Sequence, residues 1–303
     1  MNFAGHAGGG DSGGRYSRPT LPSRCAAVKL DLDRYRVKPG KRPHLSRRDT
    51  AGTQGLSEKD DADKVEAQLE EDRDRLRDLQ ERLYAERKQS LLVVLQATDA
   101  AGKDSTVKHV FGGMNPNNVR VWSFKTPTRI ELEHDFLWRI HKHVPGAGYL
   151  GVFNRSHYED VLIVKMHGWV DADTLERRYD HINHFESLLA DGGTRIVKIM
   201  LHVSKDYQLE RFRRRLRRED KHWKFNPADL TERALWDEYQ DAFETALERC
   251  STDAAPWYVI PAEERWFRDL AITQLLVRTL EEMDPQYPPP AFDPADYPPD
   301  AIE

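Results

Sequence analysis

From residue 90 onward, short apolar runs rich in valine, isoleucine and leucine recur at intervals too long for hairpins. They fall at 91–95, 119–122, 149–153, 196–203 and 257–260, and their length and β-branching predict strands. Between them the apolar positions shift to helical spacing, near 103–112, 129–142, 158–166, 174–190, 205–218, 230–249 and 264–282. Strands alternating with helices imply right-handed βαβ crossovers and a parallel sheet covered on both faces, an α/β fold. Ligands of such sheets sit beyond the carboxyl ends of the strands. Ahead of this pattern, 62–88 predicts a long charged helix with Val65, Leu69, Leu76, Leu79 and Leu83 on one stripe. No internal repeat is present.

The flanks read differently. Residues 1–26 are rich in Gly and Ser and predict a flexible tail, and 27–60 form a basic, irregular arm. Residues 284–303 are proline-rich and neither continue a helix nor enter a central strand. The span 27–283 is then one domain with an N-terminal arm and a long helix. No apolar run approaches a membrane span and the start lacks an apolar signal core, so a cytoplasmic protein with no membrane partner is expected. Cys25 and Cys250 are too few for a disulfide framework or a thiolate zinc site. A net charge of −5 argues against a general nucleic-acid coat, so any polyanion must be held by a local basic patch.

Candidate chemistry follows the strands. After the first run, "LQATDAAGKDS" resembles the phosphate loop G-x-x-x-x-G-K-[ST], with Ala97 in place of the first glycine and Asp104 in place of the hydroxyl. The amides of Ala100, Ala101, Gly102, Lys103 and Asp104 would face an anion at a helix start, and Lys103 would reach the transferred phosphoryl group. Asp99 and Asp104 would repel a polyanion unless a divalent cation lay between. A turn with helix-capping aspartates is the plainer alternative. After the third run, "VFNRSHYED" places Asn154 where phosphate-loop enzymes usually hold metal with an acid. Metal binding would pass to Asp99, with Glu159 and Asp160 as helpers, and Arg155 would clamp phosphate. Ser156 with Glu159 also spells a capping box.

After the second run, Lys125, Thr126 and Arg129 offer donors to an acceptor nucleotide, or form a plain loop and helix cap. In "RFRRRLRREDKHWKF", Arg211, Arg214, Arg215 and Arg218 share one helical face, opposite Leu209, Phe212 and Leu216, and Lys221 and Lys224 follow. So dense a positive cluster in an acidic chain calls for an anion: a lid over phosphates, a nucleic acid, or an acidic partner. His181 with His184, and His141 with His143, lack further ligands at metal spacing. The tryptophans read as core and loop anchors, with Trp257 and Trp266 beside a possible base site.

Together "LQATDAAGKD", "SFKTPT", "HDFLWRIHKH", "VFNRSHYEDVLIV", "HVSKDYQLERFRRRL", "HWKFNPADLTERALWDEYQDAFE" and "APWYVIPA" resemble the polyphosphate kinase 2 family from about residue 30 to 283. The resemblance implies a P-loop kinase fold close to thymidylate kinases, with a helical lid at about 204–226. It also implies transfer of the terminal phosphoryl of inorganic polyphosphate to AMP or ADP, with Mg²⁺ or Mn²⁺. Asn154 and Arg155, with Glu159 and Asp160, resemble the third class, which accepts mono- and diphosphates. Catalytic duty falls on Asp99, Lys103 and Arg155. Metal duty falls on Asp99, Asp104, Glu159 and Asp160, phosphate binding on the loop, the four lid arginines and Lys224, and the acceptor on Lys125, Thr126, Arg129, Asn154 and Glu159. Thr98 departs from the methionine common in that family. A homo-oligomer, dimer or tetramer, is expected. An ATP-dependent nucleoside monophosphate kinase and a non-catalytic nucleotide- or nucleic-acid-binding regulator are the alternatives.

Overall fold

The computed structural model describes residues 27–298 and 300; the N-terminal tail, with Cys25, lies outside the described residues. Five strands form one parallel sheet in the order β2-β3-β1-β4-β5. They are β1 (Ser90–Ala97), β2 (Val119–Ser123), β3 (Leu150–Asn154), β4 (Thr194–His202) and β5 (Trp257–Pro261). β1 lies at the centre and is buried along its whole length. Its side chains alternate: Leu91, Val93 and Leu95 enter one core, and Leu92 and Val94 the other. That period of two is why an unbroken apolar run suits a strand buried on both faces.

Helices α1 (Ala62–Glu86), α2 (Lys103–Phe111) and α10 (Arg265–Met283) cover the first face. On the second lie α5 (Glu159–Met166), α6 (Ala172–Asp191) and α9 (Trp236–Cys250). The α1 stripe is buried as its spacing requires, from Val65 to Leu83. The arm pairs with β5 through Arg36 and Tyr258 and so covers a sheet edge that would otherwise expose unpaired backbone groups. The proline-rich end begins against α1, where the Gln286 amide donates to Glu86 at 2.9 Å.

Two predicted helices are each broken in two. The span 129–142 becomes α3 (Arg129–Leu132) and α4 (Trp138–His141). Ile130 and Leu132 are exposed, so no core contact carries the helix through, and Asp135 restarts the chain by accepting from the Leu137 amide. The span 230–249 becomes α8 (Ala228–Ala234) and α9, with the break at Leu235, whose ψ of 28° leaves the helical range. The remaining helix, α7 (Lys205–Arg217), starts on Ser204, whose side chain accepts from the Tyr207 amide. Its inner face carries Gln208 and Phe212, while Leu216 is exposed rather than buried. Trp257 is a core residue, whereas Trp122, Trp169 and Trp223 are exposed, so the tryptophans do not all act as anchors. Trp257 is buried and offers no face to a base, whereas Trp266, at the other end of that segment, is half-buried.

Candidate active site

The loop after β1 turns through two left-handed residues, Ala100 at φ 63° and Gly102 at φ 108°, before α2 begins at Lys103. Ala100 in that region costs ~1–2 kcal/mol and persists because its surroundings hold it. Gly102 is required twice over: by its φ, and because a Cβ there would stand 2.7 Å from Arg268 Nη1. Arg268 is fully buried on α10, pairs with Asp269 at 2.7 Å, and lies directly beneath the loop. Its Nη1 has no hydrogen-bond partner. From the other side the buried Gln208 donates from Nε2 to the Asp99 carbonyl at 3.0 Å, and Arg233 supports that amide at 3.1 Å. Neither Arg268 nor Gln208 was signalled by any sequence motif.

Lys103 folds back onto the loop, donating to the Ala97 carbonyl at 2.8 Å. Burial pulls its pKa below the usual lysine range, against the attraction of Asp99. Such an ammonium is short of counter-charge, and an arriving phosphate would supply it. Asp99 accepts from Arg155 at 3.1 Å. Arg155 is itself left-handed, at φ 62°. Burial opposes its charge, but Glu159 and Asp99 hold its pKa above the ordinary value. Asp104 accepts from Asn154 Nδ2 at 2.9 Å and lies 3.7 Å from Lys224.

The turn at Asn154–Arg155 is fixed from behind. Glu186 accepts from His157 at 3.1 Å, from Tyr158 at 2.9 Å and from Lys198 at 2.5 Å, all within the core. A buried charge pair of this kind is stable only when fully hydrogen-bonded, as here, and it over-determines the strained turn. The proposed capping box does not form. The α5 N-cap is Tyr158, and Ser156 is buried two residues upstream, its Oγ accepting from the Tyr158 amide at 3.2 Å. In the orientation that satisfies both its ends, the buried Gln96 amide donates to Glu159 at 3.1 Å and accepts from Ser156 Oγ at 3.1 Å.

These elements open onto one cleft of about 840 Å³. On the loop side it is lined by Asp99, Ala100, Gly102, Lys103 and Asp104, and at the ends of β2 and β3 by Lys125, Asn154 and Arg155. The lid side contributes Arg211, Arg214, Arg215, Arg218 and Lys224. Arg211 and Arg214 have no carboxylate partner among the described residues, whereas Arg215 lies 3.3 Å from Asp229 and Arg218 lies 2.9 Å from Asp220. Arg218 lies one residue beyond the end of α7, so the four do not share one helix. Lys221 of the same basic cluster also lines it, as do Arg265, the exposed Trp223 and the acid Asp229, which were not singled out in advance.

Five predicted residues stand apart. Ala101 is buried in the core and its amide turns inward to the Thr98 carbonyl. Thr126 and Arg129 are exposed outside the cleft, Arg129 being paired with Glu133, because Thr128 and Glu131 form a capping box that carries this segment away. Glu159 lines a smaller cavity of about 220 Å³ that shares Asp99 and Arg155 with the cleft. Asp160 faces Arg178 at 3.6 Å, and burial lifts its pKa to about 6. It does not line the cleft, which corrects its expected place among the metal ligands. Among the described residues no three His, Cys, Asp or Glu side chains converge as a metal cage.

The model of the family described as "Polyphosphate kinase 2 (PPK2)" matches residues 59–288. An AMP/ADP-polyphosphate phosphotransferase of Meiothermus ruber is 49% identical over 259 residues, 86% of this chain and 96% of the relative. An ADP-polyphosphate phosphotransferase of Rhodopseudomonas palustris is 43% identical over 231 residues, 71% and 78% of the two chains. The crystal structure of polyphosphate kinase 2 from Arthrobacter aurescens TC1 superposes with a TM-score of 0.85 at 46% identity, covering 90% of this chain and 97% of that one. On these matches this chain belongs to the polyphosphate kinase 2 family.

Proposed function

We propose that the loop–lid cleft is where the terminal phosphoryl group of inorganic polyphosphate passes to a nucleotide, with the roles below. The chain is a polyphosphate-dependent phosphotransferase acting on AMP or ADP, in keeping with relatives named for those reactions. The observation that carries the assignment of roles is the convergence on one cleft of Lys103 with Arg211 and Arg214, which have no carboxylate partner among the described residues, opposite the ends of β2 and β3. Lys103 and the outward amides of the loop bind the donor. Arg155, Arg211 and Arg214 stabilise charge as it moves between donor and acceptor oxygens. Lys125 and Asn154 face the acceptor, and the neutral Asn154 accommodates a terminal phosphate of either a mono- or a diphosphate. Among the described residues no histidine lines the cleft, which favours direct in-line transfer over a phosphohistidine.

Asp99 and Asp104 offer two hard oxygen donors beside the phosphate path. That set suits Mg²⁺ or Mn²⁺, because Mg²⁺ is usually held by one or two carboxylates with substrate phosphates and water completing its shell. The bound cation would neutralise phosphate oxygens as charge develops. Arg155 meanwhile donates to Asp99, and Asn154 to Asp104, which fixes one oxygen of each carboxylate. A cytoplasmic location and a homo-oligomer, dimer or tetramer, complete the reading. Among the described residues no helix is long and apolar enough to cross a membrane.

The test is Asp99→Asn, with transfer from polyphosphate to AMP and to ADP measured across a Mg²⁺ series and with ATP as a control donor. The expected loss is about 10²-fold or more in kcat, with the fold intact by circular dichroism. Near-normal transfer by the folded variant would remove Asp99 from metal binding. Equal use of ATP and polyphosphate by the wild type would overturn the donor assignment.

A further inference from the structure

The arm builds a second concavity, of about 910 Å³, against the last residues of β5. Its wall carries Arg34, Arg47, Arg48 and His44, with Asp49 as its one acid. The arginines on this arm divide sharply. Arg36 is paired with Asp253, and Arg42 with Asp241 and Glu244. The three arginines inside the cavity have no carboxylate partner among the described residues. Arg48 is half-buried, and its guanidinium meets carbonyl oxygens instead: Pro43 at 3.0 Å and Arg34 at 3.4 Å. Asp49 is occupied in accepting from the Ala51 amide at 2.9 Å. A chain with more acids than bases has left three guanidiniums unneutralised in one hollow, which is the signature of an anion site.

This cavity adjoins the active cleft. Pro261 lines the arm cavity and Arg265 lines the cleft. The four steps of chain between them span at most ~14 Å. The turn they bound is clamped to the arm, because the amides of Ala262 and Glu263 both donate to the Thr50 carbonyl, at 3.1 and 3.2 Å. Glu263 also accepts from the Ser204 amide at 2.8 Å, at the base of the lid. Arg265 lies near enough to Arg211 to disfavour its charge, after burial has already done so. Arg211, Arg214 and Arg265 thus lie on the cleft side of this turn and Arg34, Arg47 and Arg48 on the arm side, with Glu263 and Glu264 in the turn between.

We propose that the arm cavity holds a distal stretch of the same polyphosphate chain whose terminal phosphoryl group lies in the active cleft. The inference rests on the donor assignment above. A linear polymer with a charge on every residue is the anion that would join two cavities without needing a pocket shaped for a base. Short donors would fill the cleft alone, and long donors would gain the arm contacts. The device is one of donor-length preference, and it adds no group to the chemistry.

The experiment compares wild type with the double variant Arg34→Glu/Arg47→Glu, using size-fractionated short polyphosphate of a few residues and a long-chain preparation. The expected result is a KM for the long donor raised about tenfold. The kcat, the KM for the short donor and the KM for AMP should stay at wild-type values. Unchanged long-donor KM, or an equal rise for both donors, overturns the proposal. Equilibrium dialysis with AMP supplies the competing outcome. Two AMP per chain in the wild type, falling to one in the variant, would give the cavity to a nucleotide and likewise overturn it. Wild-type transfer from the short donor reports the donor assignment by itself, so the two readings fail separately. A milder pair, Arg34→Gln/Arg47→Gln, repeats the test should charge reversal lower the melting temperature.

Discussion

The phosphate loop and the basic lid face each other across one cleft, but their charges are held in opposite ways. On the loop, each charged group has a fixed neighbour: Asp99 has Arg155, Asp104 has Asn154, and Lys103 has the Ala97 carbonyl. Beneath it lie Arg268 and, on the other side, Gln208, both buried. On the lid, Arg211 and Arg214 have no carboxylate partner among the described residues, Arg215 meets Asp229, and Arg218 holds Asp220 at the surface. Such an exposed, solvent-screened pair contributes little, so phosphate can displace it. The difference teaches which part is preorganised and which part is recruited. Preorganised dipoles act where charge develops, and guanidiniums without a carboxylate partner are available to an arriving phosphate.

The largest effect should come from breaking the loop's geometry without touching a charge. Gly102→Ala forces a Cβ to 2.7 Å from Arg268 Nη1 and a side chain into φ 108°. We expect kcat to fall about 10²-fold, since a displacement of ~1 Å at a positioned group has that cost. The melting temperature should drop by only a few degrees. A variant with near-normal kcat would show that the loop is not held in one shape, and would dissolve the contrast with the lid.

The lid supplies the next test, of intermediate size. Arg211→Ala and Arg214→Ala should each lower kcat/KM for polyphosphate by about 10- to 100-fold. Arg213 and Arg217 do not line the cleft, and Arg217 is committed to Glu210, so their alanine variants serve as controls with little change expected. Inhibition by salt should weaken in the Arg211 and Arg214 variants, because exposed charges beyond about 8 Å are screened at physiological ionic strength. Equal losses across all four arginines would mean that the cluster acts through net charge alone, with no difference between lining and outward residues.

The parts legible in the sequence were those encoded by period and by local chemistry. Each apolar run became a strand within one or two residues, and the α1 stripe was buried position by position. The loop announced itself through Gly102–Lys103 after a buried run. What supports the loop was illegible for a physical reason. Arg268 sits in an amphipathic helix where an arginine reads as solvent-facing, and only tertiary packing places it under Gly102. Lys198 likewise interrupts an apolar strand without any cue that Glu186, His157 and Tyr158 would surround it. Ser156 and Glu159 had the spacing of a capping box, but the Gln96 amide from β1 claims both. Spacing alone also put Arg218 on the α7 face, although the helix stops one residue earlier.

The smallest effect on transfer, and the one that tests the edge of the cleft, concerns Asp160. It follows Glu159 in the same motif, yet its carboxyl turns to Arg178 and is mostly buried. Burial raises its pKa from 3.8 to about 6, so between those values the folded chain keeps a proton that the unfolded chain releases. Stability contributed by this group therefore falls as pH rises from about 4 to about 6, and the loss persists above. The shift corresponds to roughly 2–3 kcal/mol in favour of a neutral side chain at neutral pH. Asp160→Asn carries no such ionisation. Its melting temperature should match wild type near pH 4, exceed it increasingly up to about pH 6 and level off above, while kcat stays within about twofold. Thermal melts across that range, with transfer assays at pH 7, provide the measurement. A collapse of kcat with unchanged stability would return the carboxylate to the cleft and make it part of the charge arrangement on the loop side.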